Sequence, residues 1–164
     1  MKLFAKDDAL DRLSLANPVH FLALGFGSGL AAKAPGTFGT LAAIPLYLVL
    51  APLGLSWYLA ATALVILAGI YICGKASKDM GVHDHGAIVW DEVAGLLITM
   101  IAAPSGWPWI VAGFVLFRIF DIIKPWPIRI LDAKVHGGLG IMADDVLAGV
   151  FSFACLQLLS HVFA

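Results

Sequence analysis

No charged residue occurs between Lys33 and Lys75, a stretch long enough for two apolar helices. The stretch divides at Pro52-Leu53-Gly54, and because proline and glycine mark turns, helices are predicted at about residues 39–51 and 56–74. Only 13% of the residues are charged and 61% are hydrophobic, whereas about 25% are charged in soluble domains. The chain is therefore predicted to be an all-α, membrane-embedded helical bundle.

Two further apolar runs follow along the chain. The run at residues 93–117 is interrupted by Pro104-Ser105-Gly106-Trp107-Pro108. Each half is shorter than the roughly 20 residues that span a bilayer, so a helical hairpin is predicted. The last run, residues 146–164, is long enough to cross. Interface anchors are predicted where tryptophans lie at run ends, namely Trp57, Trp107, Trp109 and Trp126.

The remaining composition narrows the class of protein. The formal net charge of −1 gives no basic excess that would indicate a nucleic-acid partner. Cys73 and Cys155 lie in apolar runs and are predicted to be buried small hydrophobic residues rather than a disulfide or ligand pair. Residues 1–16 form a charged, amphipathic N-terminal segment, predicted as a short surface helix over residues 1–12, and residues 17–164 form one helical domain.

Basic residues predict the orientation in the membrane. If lysine and arginine mark the cytoplasmic side, that side carries Lys33, Lys75, Lys78, Lys124, Arg129 and Lys134. We therefore predict a multi-pass protein of the bacterial inner (cytoplasmic) membrane whose polar segments face the cytoplasm. The broken third run leaves the number of spans open.

Two acidic pairs stand beside apolar runs and open nearly identical phrases, Asp91-Glu92-Val93-Ala94-Gly95 and Asp144-Asp145-Val146-Leu147-Ala148-Gly149. An ionised carboxylate in lipid costs roughly 2.5–3.5 kcal/mol, and adjacent carboxylates repel each other unless a cation lies between them. Oxygen ligands suit a divalent metal such as Mg²⁺. We predict that the metal ligands are Asp91, Glu92, Asp144 and Asp145. For Asp144 the alternative is a helix N-terminal position, which the helix dipole favours.

Glycine-rich segments bracket Lys33, namely Gly25-Phe26-Gly27-Ser28-Gly29 and Pro35-Gly36-Thr37-Phe38-Gly39-Thr40. Glycine lets backbone N–H groups approach an anion, and hydroxyls at a helix start add donors. Phosphate contacts are predicted for Lys33, Thr37, Gly36 and Ser28. The alternative is a tight reversal between two packed helices.

Two other polar segments carry candidate chemistry. His83 and His85 flank Asp84 in a loop just before the first acidic pair, which suits metal binding or acid–base catalysis, or else forms a solvated loop. Arg118, Asp121 and Lys124 are spaced by three and share a helix face. They form either a cationic phosphate clamp, with Asp121 orienting Arg118 or binding metal, or a surface ladder of ion pairs.

Known nucleophile motifs are missing. The sequence contains neither a Gly-x-Ser-x-Gly elbow nor an Asp-x-Asp motif, and no arginine follows either cysteine at the spacing of a phosphatase loop. Metal-activated water is therefore the predicted nucleophile. The alternative from another class is a small cation transporter that uses the repeated acidic phrases as its ion site.

Eight segments, taken together, resemble the phosphatidylglycerophosphatase A family. They run in a fixed order from about Asn17 to Gly149, and no polar position departs from the pattern. The segments are Asn17-Pro18-Val19-His20, Gly25-Phe26-Gly27-Ser28-Gly29-Leu30, Ala34-Pro35-Gly36-Thr37, Asp79-Met80-Gly81-Val82-His83-Asp84-His85-Gly86, Ile88-Val89-Trp90-Asp91-Glu92, Phe117-Arg118-Ile119-Phe120-Asp121, Lys124-Pro125-Trp126-Pro127-Ile128-Arg129, and His136-Gly137-Gly138-Leu139-Gly140-Ile141-Met142 with Asp144-Asp145.

The resemblance implies a Mg²⁺-dependent inner-membrane enzyme that removes the terminal phosphate of phosphatidylglycerophosphate to give phosphatidylglycerol. It also implies an all-α fold of short helices around a central one, so some apolar runs are expected to be core helices rather than spans. The expected partners are this substrate and membrane lipid, and no obligate protein partner is inferred.

The polar residues match what such a reaction needs. We expect Lys124, Arg118 and Arg129 to hold phosphate oxygens. Asp84, His83 and Asp121 are the predicted catalytic residues, with either His83 or Asp84 relaying a proton. The chain is thus expected to be a phosphoric monoester hydrolase of lipid synthesis.

Overall fold

The computed structural model describes residues 7–163, which form seven α-helices and no strand. The helices are α1 (Pro18–Ala23), α2 (Pro35–Leu50), α3 (Leu55–Met80), α4 (Trp90–Thr99), α5 (Trp107–Ile123), α6 (Ile128–Lys134) and α7 (Gly137–Phe163). The predicted all-α class is confirmed. Residues 1–6 of the predicted surface helix lie outside the described residues, and Leu10–Arg12 form a single 3-10 turn.

Helix α4 is the centre of the bundle. All of its residues except Glu92 are buried, and α2, α3, α5 and α7 pack around it. The Tyr58 hydroxyl donates a hydrogen bond of 2.6 Å to the Leu97 carbonyl, and the Trp90 indole donates one of 3.1 Å to the Val65 carbonyl. These bonds tie α4 to α3. A short helix that is apolar on nearly every side is stable only when neighbours cover it, as the predicted central helix requires.

The first two apolar helices are separated at the predicted turn. A 3-10 turn over Ala51–Leu53 ends α2, and Gly54, with a φ of 87°, adopts a conformation that suits glycine. Both helices extend further than the apolar run predicts. Helix α2 begins at Pro35, since proline needs no N–H donor in the first turn, and α3 continues to Met80 and ends at the left-handed Gly81.

The third apolar run forms the predicted hairpin of α4 and α5. Helix α4 has 10 residues and α5 has 17, so α4 is far too short to cross a bilayer. Gly106, with a φ of 121°, precedes α5, and Pro108 lies in its first turn. Because α4 is a core helix, this part of the chain agrees with the expectation that some apolar runs do not span.

Helix α7 begins well before the predicted position, at Gly137 rather than near residue 146. Asp144 and Asp145 therefore lie inside the helix, and no acidic residue is in its first turn. The N-terminal alternative for Asp144 is wrong. The glycines just after His136 indicate a loop, yet a Cβ on Gly138 would lie 1.8 Å from the Ile70 carbonyl oxygen. Glycine is needed there because α7 packs directly on the α3 backbone.

Three helical segments are long and apolar enough to cross a membrane: Pro35–Leu53, Leu55–Met80 and Gly137–Phe163. Large apolar side chains point outward from them, including Leu64, Leu67 and Tyr71 on α3. Such a surface suits a lipid environment better than water. Of the predicted interface tryptophans, Trp57, Trp107 and Trp126 are exposed, whereas Trp109 packs against the core.

Both cysteines are free in the described structure. Cys73 is fully buried, with its thiol 3.8 Å from the Met142 sulfur, and Cys155 is half-buried. The predicted burial is confirmed for Cys73, whereas Cys155 is only partly buried. The fully buried Cys73 is out of reach of any substrate.

Candidate active site

Three carboxylates from two helices meet in the interior. Asp91 and Glu92 come from the first turn of α4, and Asp145 comes from α7. One oxygen from each lies within 4.8 Å of the other two. Asp91 is 8% exposed and Asp145 is 3% exposed. The structure therefore brings three of the four predicted metal ligands together, while their role as ligands stays a prediction.

The two repeated phrases meet through their glycines. Gly95 lies one turn after Asp91, and Gly149 lies one turn after Asp145, so each glycine shares a helix face with its carboxylate. A Cβ on Gly149 would lie 2.7 Å from the Gly95 carbonyl oxygen. Helices α4 and α7 therefore touch backbone to backbone here. This close contact places the two acidic positions side by side and explains why glycine follows each pair.

The carboxylate group carries more negative charge than its protein surroundings offset. Oδ1 of Asp91, Oε2 of Glu92 and Oδ2 of Asp145 are buried and have no hydrogen-bond partner within residues 7–163. Buried polar atoms are rarely left unpaired in folded proteins. Three such atoms within one carboxylate group require either bound protons or a cation.

Burial and mutual repulsion change the acidity of this group. Burial, followed by the charge of Asp145, raises the pKa of Glu92 to about 8. Burial and the charge of Glu92 also raise the pKa of Asp91 well above its usual range. A divalent cation would make the ionised forms of these carboxylates favourable, because its charge offsets their mutual repulsion. The oxygen-only donor set fits a hard cation such as Mg²⁺.

Arg118 of α5 stands beside the carboxylates. Its Nη1 contacts Oδ2 of Asp121 and lies 3.8 Å from Oε1 of Glu92. The same nitrogen lies 3.5 Å from Oγ1 of Thr40, while the buried Nε has no partner among the described residues. The guanidinium is therefore held in place by α2 and α5. Its Nε–H remains available to donate a hydrogen bond to a ligand.

Gly36 allows α2 to approach this arginine. A Cβ on Gly36 would lie 2.2 Å from Oε1 of Glu92 and 3.1 Å from Nη1 of Arg118. Thr40, one turn later, donates a 2.8 Å hydrogen bond to the Gly36 carbonyl. The predicted site residue Gly36 thus lines the site directly. Sequence patterns do not single out Thr40, although its spacing of four from Gly36 places both on one helix face.

Lys124 pairs differently from the predicted ladder. Helix α5 ends at Ile123, and Lys124 takes a left-handed conformation with a φ of 45°. Its ammonium then lies 2.6 Å from Asp144 and 2.7 Å from Asp132, so it forms no ion pair with Asp121. Burial lowers the pKa of Lys124, but hydrogen bonds to Asp132 and Asp144 outweigh it and raise the pKa. Lys124 stays charged, and Asp144 lies outside the three-carboxylate group.

The loop before α4 is tied at two points. Gly137 donates its backbone N–H to Nε2 of His83 over 3.0 Å, while Nε2 of His85 lies 2.8 Å from Oδ2 of Asp7. Between them, Asp84 is exposed and left-handed, with a φ of 50°. After burial and Glu92, the charge of Asp84 is a further cause of the raised pKa of Asp91. The charge of Asp84 therefore acts on Asp91, whereas His85 is held by the N-terminal segment.

The remaining predicted phosphate contacts are not joined to the carboxylates by any contact in residues 7–163. Ser28 donates a 2.7 Å hydrogen bond to the Gly25 carbonyl, as in a tight reversal. Lys33 is exposed in the connection to α2, Thr37 lies in the first turn of α2, and Arg129 is exposed on α6. Their phosphate roles stay predictions.

Fold and site together define a class: an all-helical protein with a buried carboxylate group, flanked by fixed cations and suited to phosphate chemistry. Residues 21–160 match the phosphatidylglycerophosphatase A family. Because this match covers most of the chain, the protein belongs to that family.

Curated relatives agree with this assignment. Two proteins named phosphatidylglycerophosphatase A are each 53% identical to the chain. The one from Escherichia coli aligns over 157 residues, 95% of this chain and 91% of its own length. The one from Haemophilus influenzae aligns over 149 residues, 90% of this chain and 91% of its own length. A putative phosphatidylinositol-3-phosphatase from Bacteroides thetaiotaomicron is 44% identical over 137 residues, 79% of this chain and 85% of its own.

No solved structure matches the chain. The family resemblance and the prediction of a phosphatase are nevertheless confirmed by the family match and the relatives' names. Membership of a phosphatase family favours the enzyme over the alternative of a cation transporter.

Proposed function

We propose that this protein is a Mg²⁺-dependent lipid phosphatase that converts phosphatidylglycerophosphate to phosphatidylglycerol in the bacterial inner membrane. The observation that carries the proposal is the group formed by Asp91, Glu92 and Asp145, whose buried oxygens lack partners among the described residues. The two relatives named for this activity support the choice of substrate.

The three carboxylates would hold the metal. When bound, Mg²⁺ supplies Lewis-acid polarisation of a phosphoryl oxygen. Asp144 instead anchors Lys124, and Asp121 fixes the guanidinium of Arg118. An arginine or lysine held in this way can bind phosphate oxygens without first having to be ordered. The terminal phosphate is thus bound between the carboxylate group and these two cations.

Hydrolysis breaks the bond between phosphorus and the glycerol oxygen and forms one between phosphorus and a water oxygen. The water must lose a proton, and the glycerol oxygen must gain one. Asp84 is exposed and its charge acts on Asp91, while Nε2 of His83 already accepts a hydrogen bond from Gly137. Asp84 is therefore the better placed of the two predicted residues to relay the proton.

The membrane location rests on the three apolar helical segments that are long enough to cross. A lipid substrate presents its anionic head group at the membrane surface, where exposed cations such as Lys78 and Arg129 are also expected. The active site is placed on the cytoplasmic side by the positive-inside rule.

Chelation tests the proposed cofactor. The full chain in detergent should release phosphate from phosphatidylglycerophosphate when Mg²⁺ is present. EDTA should stop phosphate release, and excess Mg²⁺ should restore it, because the carboxylates then bind the metal again. Phosphate release that is unchanged by EDTA would contradict the metal requirement, and a lack of release with Mg²⁺ would contradict the substrate.

An Asp84→Asn variant tests the proton relay. We expect kcat to fall at least about a hundredfold with little change in KM, since a positioned acid–base group contributes about 10²–10⁴-fold. Asp11→Asn, which changes an exposed carboxylate on the N-terminal segment, is the control and should keep the full rate. If Asp84→Asn keeps its rate and His83→Gln loses it, the relay is His83.

A further inference from the structure

A second pocket opens next to the site. The end of α5 and one side of α6 line a cleft of about 560 Å³. Lys124 belongs both to this cleft and to the active site, since its ammonium lies 2.6 Å from Asp144, the neighbour of Asp145. A ligand that fills the cleft therefore contacts Lys124, which links the cleft to Asp144 of α7.

The cleft carries positive charge that is not offset. Arg129 and Lys134 line it, are exposed, and have no carboxylate within ion-pair distance in the described part of the chain. Arg129 and Lys134 are five positions apart on α6, so they lie about 140° apart, at the two edges of the helix side that lines the cleft. Such a face attracts an anionic group.

The rim of the cleft is apolar. Ile123 is 69% exposed and Trp126 is 78% exposed, and the neighbouring Ile122 also points outward. Tryptophan is enriched where a membrane meets water, and basic residues beside it favour anionic lipid head groups. A cationic floor with an apolar rim matches a phospholipid, which joins a phosphodiester to acyl chains.

We propose that this cleft binds the inner phosphodiester of the lipid substrate, the phosphate that the reaction leaves in place. The proposal rests on the proposed function and deepens it. Arg129 and Lys134 hold the diester oxygens, and Ile123 and Trp126 contact the start of the acyl chains. The three-carbon glycerol then extends past Lys124 and delivers the terminal phosphate to the carboxylate group. A lipid with two phosphates is thereby distinguished from one with a single phosphate.

An Arg129→Gln/Lys134→Gln double variant tests this subsite with phosphatidylglycerol as the probe, because that lipid has the diester and no terminal phosphate. Native mass spectrometry in detergent should show phosphatidylglycerol binding that is weakened about tenfold or more, as expected when two charged hydrogen bonds are lost. KM for phosphatidylglycerophosphate should rise by a similar factor while kcat stays within about twofold. Lys78→Gln removes an exposed cation outside the cleft and should match the wild type.

Inhibition kinetics separate the substrate's own diester from a neighbouring membrane lipid. Phosphatidylglycerol should inhibit the wild type competitively, and the double variant should lose this inhibition. Unchanged phosphatidylglycerol binding in the double variant would overturn the proposal. Non-competitive inhibition would overturn it too, since the cleft would then hold a separate lipid. Because the binding measurement needs no turnover, it decides the proposal even if the wild type fails to hydrolyse phosphatidylglycerophosphate, a result that would contradict only the proposed function.

Discussion

Asp145→Asn is expected to lower phosphate release by more than about a hundredfold, because the metal loses a charged ligand at the buried centre of the site. The change keeps the shape of the side chain, so the packing of α7 on α4 should persist. Metal binding, measured as the electron paramagnetic resonance signal of Mn²⁺ in place of Mg²⁺, should weaken in parallel. The two measurements together separate loss of the metal from loss of the fold.

The adjacent residue provides the matched control. Asp144 is equally buried, but its carboxylate pairs with Lys124 and lies outside the three-carboxylate group. Asp144→Asn should therefore change Mn²⁺ affinity by no more than about threefold. Its activity should still fall, because Lys124 loses one of its two carboxylate partners. Equal loss of Mn²⁺ binding in both variants would show that Asp144 binds the metal as well as Asp145. Full binding in Asp145→Asn would contradict the site itself.

Much of the fold follows from where apolar runs stop. The break at Pro52-Leu53-Gly54 and the break before Pro108 separate helices as predicted. Proline alone does not end a helix here, because Pro45 lies inside α2. Each break also contains a glycine with positive φ, Gly54 or Gly106. The start of α7 is different. Gly137 and the glycines after it read as a loop by propensity, and they are helical because α3 needs a close neighbour.

The sequence predicts a cation-binding site, which stays a prediction, but it does not predict which side chains pair with one another. Adjacent carboxylates beside apolar runs indicate a cation on energetic grounds alone. Which of the four carboxylates converge depends on how α7 is rotated about its axis when it packs on α4. The sequence alone does not give this rotation. Similarly, the spacing of Arg118 and Lys124 predicts a shared face, which is lost because α5 ends at Ile123.

The repeated acidic phrase has a physical explanation that the sequence only suggests. Its acidic residues provide charge, and its glycines provide space. Gly149 leaves room for the Gly95 backbone, and Gly95 leaves room for the Phe117 ring and the Asp145 carbonyl oxygen. These two requirements recur together because a carboxylate group formed by two helices needs acidic side chains and a close approach at the same level. The repeated phrase therefore does not imply a repeated unit of the fold. It can occur on two helices of different length, such as α4 and α7.

Gly149→Ala is expected to disrupt this close approach. The new methyl group would lie 2.7 Å from the Gly95 carbonyl oxygen, 3.1 Å from Cβ of Ile98 and 3.2 Å from Cα of Gly95. Two of these atoms belong to backbone, so no side-chain rotation relieves the contact and α4 must move away from α7. Overpacking of this kind costs about 1–3 kcal/mol, and the melting temperature in detergent should fall by several degrees.

The larger effect of Gly149→Ala should be on the chemistry. A shift of α7 carries Asp145 away from Asp91 and Glu92, and a misplacement of about 1 Å can cost about a hundredfold in rate. Phosphate release should therefore fall far more than the loss of stability explains, and Mn²⁺ affinity should fall with it. Gly86→Ala is the control, because the nearest atom to its new methyl group lies 3.9 Å away. Normal stability, rate and Mn²⁺ affinity in Gly149→Ala would show that the spacing of the two helices does not set the geometry of the carboxylate group.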